Sequence, residues 1–158
     1  MQKTILIPTD LTVESLHTLK LALIRNEAVQ VRILLMYPYR LGDSITDLLF
    51  YSPGKIINNE ITPEFEEGIS ILKNRFFHTL HSLSIQLFHG NNTNAFTQYA
   101  NAYGIDEIYL PQSYLLKNGK RGFNLIPLID KNKFIVHEVN WESREPGGTN
   151  SIAELFNN

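Results

Sequence analysis

Apolar positions along this chain switch between near-continuous runs and spacings of three and four residues. Residues 4–7 (TILI) form one such run, closed by Pro8-Thr9-Asp10. A run apolar on both pleat faces predicts a strand covered on both sides, as in a parallel sheet. Thr12 is placed to cap a following helix, with Glu14 in its first turn and Leu16, Leu19, Leu23 and Ile24 on one face. Residues 31–37 (VRILLMY) make a second buried run before Pro38, completing a strand–helix–strand unit that is right-handed by rule.

Residues 38–61 are the least regular internal stretch. Ser44 and Asp47 read as a capping box before Leu48-Leu49-Phe50, and Ser52-Pro53-Gly54 reads as the end of that short helix. Thr62, Pro63 and then Glu64, Glu66 and Glu67 predict a strong helix start, since a capping hydroxyl, a first-position proline and early carboxylates all suit the positive dipole end. Phe65, Ile69, Leu72, Phe76, Leu80 and Leu83 continue its apolar face. His78 and His81 fall on this predicted helix at a spacing that could ligate a metal, although a solvated face accounts for them as well.

Residues 84–89 (SIQLFH) predict a third strand, stopping at Gly90. A helix follows from Asn92 or Thr93, with Phe96, Tyr99, Ala100 and Tyr103 inward and Gly104 as a left-handed stop. Residues 106–110 and 133–139 predict strands four and five, joined by a polar loop at 112–123 and a short helix near 124–130. Residues 1–140 read as one domain, and 141–158 as a linker and tail carrying Ile152, Leu155 and Phe156. Five strands joined by helices predict an open, doubly wound α/β sheet, whose ligands sit beyond the carboxyl ends of the strands.

Composition narrows the chemistry. The 158 residues carry 19% charged side chains and a formal charge of −2, with no electrostatic call for nucleic acid or an anionic membrane. There is no cysteine, so disulfides, thiolate metal sites and cysteine nucleophiles are excluded. The apolar runs are too short for a signal peptide or a spanning helix, and a soluble, cytoplasmic protein is expected. His89 and His137 read as structural histidines. No nucleophilic triad, P-loop, dinucleotide fingerprint or paired-carboxylate spacing is present, so the enzyme reading is the weaker one.

The first strand ILIPTD, the second ending LLMY, the third ending at Gly90 and the fourth within GIDEIYLP together resemble the universal stress protein family, over roughly residues 3–140. The resemblance implies a three-layer, five-stranded parallel sheet in the order 3-2-1-4-5, of the adenine nucleotide alpha hydrolase-like (Rossmann-like) class. It also implies a crevice between the first and fourth strands that binds ATP or AMP, making Pro8, Thr9, Asp10, Met36 and Pro111 its candidate residues. Asp10 would face adenine and ribose, or else bond the amides of the next helix start. The family pattern places glycines where Pro111 and Tyr114 stand, and a Gly-Ser or Gly-Thr pair near Asn124-Leu125. Proline lacks an amide donor and tyrosine blocks close approach, so weak or absent nucleotide binding is expected, with no cofactor. An alternative anion site uses Lys117, Lys120 and Arg121 with Gly119 and Gly122.

The resemblance further implies a homodimer through the last strand, which lies at the sheet edge and must be covered or paired. Phe134, Val136 and Glu138 would line that interface, with Trp141 as an apolar anchor. The expected function is binding or regulation in a stress response, through a protein partner the residues do not identify. A nucleotide sensor is the alternative, and a nucleotide or phosphate hydrolase the weaker third.

Overall fold

The computed structural model describes residues 2–42, 44–112, 116 and 121–141. Strand β1 (Gln2–Pro8) is followed by a single 3-10 turn (Val13–Ser15) and α1 (Leu16–Arg25), then β2 (Gln30–Pro38). Three helices come next: α2 (Ile45–Leu49), α3 (Pro53–Glu60) and α4 (Pro63–Arg75). The rest comprises β3 (Leu80–Phe88), α5 (Thr93–Ala102), β4 (Glu107–Pro111), a 3-10 turn (Ile126–Leu128) and β5 (Ile135–Val139). All strand pairs are parallel, in the order β3-β2-β1-β4-β5. The expected sheet and its order are both present.

The alternation of side chains along the central strands divides the interior into two cores. Ile5 and Ile7 of β1 join Ile33, Leu35 and Tyr109 on one face, covered by Leu16, Leu19 and Leu23 of α1 and by Phe65 and Leu72 of α4. Leu6 joins Leu34, Met36, Ile108 and Leu110 on the other, covered by Phe96 and Ala100 of α5. Ile24, expected on the buried face of α1, is 38% exposed instead.

The second helix start is as expected: Thr62 accepts from the Phe65 amide at 3.1 Å and Pro63 opens α4. Its end is not. The helix stops at Arg75, and Leu80 and Leu83 belong to β3. The helical spacing ran on through 76, 80 and 83, but pairing with β2 takes the chain first: the Val31 amide donates to the Thr79 carbonyl at 2.8 Å. His78 therefore lies in the turn and His81 in the strand, so they share no helix face. Beside His81 the register slips, because Val31 opposes Leu80 whereas Arg32 opposes Ser82.

Ser52-Pro53 begins a helix where a helix end was expected. Ser52 accepts from the Lys55 amide and Pro53 takes the first position of α3, an arrangement as natural for a start as for a stop. Residues 124–130 hold one 3-10 turn in place of a short helix, since Pro127 cannot extend it. The Asp47 side chain and the tail at 142–158 lie outside the described residues.

Two glycines matter for different reasons. Gly104 has φ +67 and open space where a β-carbon would be, so its requirement is the backbone alone. A β-carbon on Gly90 would stand 2.4 Å from the Phe88 ring and 2.8 Å from the Ala95 β-carbon. Gly104→Ala is expected to cost about 1 kcal/mol of unfolding free energy through its left-handed φ. Gly90→Ala is expected to cost about 2–3 kcal/mol through overpacking. Urea titration of both variants checks the order.

Candidate functional site

The site begins where β1 ends. Pro8 opposes Met36, and the Thr9 amide continues the ladder one step by donating to the Met36 carbonyl at 2.9 Å. Thr9 is 1% exposed; its hydroxyl lies 3.0 Å from the Ser15 hydroxyl and accepts from the Leu11 amide at 3.0 Å. Leu11 adopts φ 62, a left-handed conformation that costs a branched residue about 1–2 kcal/mol. Its side chain is 2% exposed, and burying a leucine returns a similar amount or more.

Asp10 Oδ1 accepts from the Thr12 amide at 3.0 Å and from the Thr12 hydroxyl. Thr12 therefore does not cap a helix as expected: its hydroxyl turns back to a carboxylate, which is the stronger acceptor. The local reading of Asp10, as a bond to nearby amides, is what this turn displays. Of the five crevice candidates, Pro8, Thr9, Met36 and Pro111 are buried, and Asp10 alone is half-buried.

Pro111 closes β4 beside Val139, and the Gln112 amide donates to the Val139 carbonyl at 2.7 Å. Tyr114, Lys117, Gly119 and Lys120 lie outside the described residues, so of the basic loop the structure places Arg121 and Gly122. These run antiparallel to the end of β2. Tyr39 bridges Gly122, and the Arg40 amide donates to the Arg121 carbonyl at 2.6 Å. Phe123 turns into the α5-side core, with the Arg40 guanidinium 4.9 Å from its ring centre.

The next turn carries Asn124 and Leu125. Asn124 Oδ1 accepts from the Ile126 amide at 3.1 Å, and Leu125 is 0% exposed. Pro127 has no amide to offer. Leu128 donates to the Leu125 carbonyl at 2.9 Å and Ile129 to the Ile126 carbonyl at 3.1 Å. Every amide from 126 to 129 is thus absent or bonded within the chain.

Charge at the ends of β1 and β2 is also informative. The Tyr37 phenol is pushed up from 10.0 to about 12, first by burial and then by the carboxylate of Glu60, with Tyr39 and Asp10 adding to it. Negative groups around a buried phenol disfavour further negative charge there.

Sequence reasoning missed Tyr39, Arg40, Tyr51 and Phe123. His89 joins two of these by bonding the Tyr51 hydroxyl through Nε2 and the Tyr39 carbonyl through Nδ1 at 2.6 Å, which satisfies both ring nitrogens as its structural reading expected. Nothing in the local spelling marks Tyr51 as its partner, because the pairing depends on where α3 starts. His137 lies on β5, 3.0 Å from Glu107, which also pairs with Lys3 at 2.9 Å. Among the described residues, no three potential ligands converge as a metal site. Nor is any helix there long and apolar enough to cross a membrane.

Because the folded-state phenol titrates higher than the unfolded one, Tyr37 contributes stability below about pH 10 that is lost as pH rises toward about 12. Tyr37→Phe is expected to flatten that part of the stability profile, read by urea unfolding across the alkaline range.

No family model and no curated protein sequence matches the chain. Solved structures do, with 16 matching chains. The universal stress protein UspA from Lactobacillus plantarum is 12% identical over 87% of this chain and 96% of its own, with a TM-score of 0.54. A hypothetical protein is 18% identical over 87% and 95%, with a TM-score of 0.50. A universal stress protein family member from Burkholderia pseudomallei is 14% identical over 87% and 95%, with a TM-score of 0.49. The first two show the fold: a five-stranded parallel α/β sheet in the order 3-2-1-4-5, shared with a universal stress protein.

Proposed function

We propose that this chain is a universal-stress-protein-like binding or regulatory protein in a stress response, cytoplasmic, acting without catalysis and with nucleotide binding weak or lost. The observation that carries this reading is the turn at 124–129, whose amides from 126 to 129 are absent or already bonded and whose Leu125 side chain is fully buried. A phosphate seated there would have to break bonds worth about 1 kcal/mol each. It would also have to displace a packed leucine. Asp10 is committed to Thr12, and the strand ends offer buried side chains in place of an open floor.

The second reading, an ATP or AMP sensor, is favoured by Arg40 and Arg121, whose backbones meet beside the same strand ends. Titration with ATP and with AMP, with and without magnesium, separates the two. No rise in melting temperature up to millimolar nucleotide is expected. A rise that disappears in Arg121→Ala overturns the first reading in favour of the second, and phosphate release from ATP would establish the hydrolase alternative.

The acting unit in this reading is a homodimer through β5, which among the described strands pairs with β4 alone. Its side chains refine the expectation. Phe134 and Val136 pack partly inward, Glu138 pairs with Lys131 at 3.3 Å, and Trp141 is 5% exposed within its own core against His17. The outward apolar residue is Ile135, 59% exposed. Ile135→Lys is expected to convert the dimer to monomer in light scattering and to remove the concentration dependence of the melting temperature.

A further inference from the structure

We propose that the C-terminal segment 151–158 of this chain docks on α2, with Phe156 entering the cavity beside it. Helix α2 and the residue after it expose Ile45 by 74%, Leu48 by 55%, Leu49 by 73% and Phe50 by 78%. Four adjacent large side chains in water form a patch of the kind that marks an interaction surface. None of them belongs to either core. A cavity of about 230 Å³ adjoins them, lined by Tyr39, Leu41, Phe50, Tyr51 and Ile56, with Arg121 at its edge.

The reach of the chain selects the occupant. Its described part ends at Trp141, which is held in the core two residues past β5. In a parallel sheet the carboxyl ends of β5 and β2 lie on the same side, and β2 leads directly toward α2. Three strand spacings separate those ends, about 14 Å. Residues 142–150 can span about 30 Å when extended, enough to cross the sheet and rise to α2. Ile152, Leu155 and Phe156 are spaced to share one apolar side of a helix. Glu154, off that side, would bring a negative charge toward Arg121, which lines the cavity.

This chain has no cysteine, so a single nitroxide can be placed on it through Asn157→Cys. The proposal expects loss of the amide signals of 45–50 by paramagnetic broadening within the same molecule. Adding Phe156→Asp to the labelled chain should restore those signals, with a melting temperature equal to or below that of the labelled parent. Unchanged signals in the labelled protein overturn the proposal, as does broadening that survives Phe156→Asp. Broadening confined to mixtures of labelled and isotope-enriched chains also overturns it, making the occupant a second copy.

Discussion

The fold depends on β1 being buried on both faces. Ile5 and Ile7 anchor the core under α1 and α4, while Leu6 anchors the core under α5. Each such side chain contributes about 1.5–3 kcal/mol relative to exposure. β2 is shared between the two cores in the same way, through Ile33 and Leu35 on one face and Leu34 and Met36 on the other, and β1 joins it to β4 at the centre of the sheet. A polar substitution at any of these three positions would therefore leave a polar group in a dry interior with no partner within reach.

The same economy of polar groups governs the strand ends. Thr9, Asp10, Thr12 and Ser15 satisfy one another, so the turn after β1 is closed upon itself and its left-handed Leu11 is held by that closure. The turn before β5 does likewise, with Asn124 taking the amide that would otherwise point outward. Two turns at these strand ends are thus internally bonded. Affinity at such a place requires an exchange of one set of bonds for another, which yields little net free energy.

Much of the architecture was legible because burial on two sides writes itself as uninterrupted apolar runs, as in TILI and VRILLMY. The order of strands came from a family resemblance and could not have come from periodicity. What failed to show were features decided between distant segments. Leu80 and Leu83 fit a helical repeat and a strand equally well, and Val31 decided between them. Trp141 reads as an exposed anchor after an edge strand until His17 of α1 supplies its neighbour. Arg40 and Phe123 lie 83 positions apart and meet through the bridge of Tyr39 with Gly122, which no local pattern announces.

The slip beside His81 carries a consequence for how this edge of the sheet can change. Leu80, Leu83 and Ile85 all pack toward the α4 side although the first step is odd and the second even. The irregularity resets the phase of the pleat, so the strand is spelled in two frames joined at one point. His81 is the extra residue at that point: its loss would leave Leu80 opposite Val31 and Ser82 opposite Arg32, with Leu80, Leu83 and Ile85 on one face of a regular strand. A one-residue deletion at this point therefore keeps every downstream pair with β2 in register.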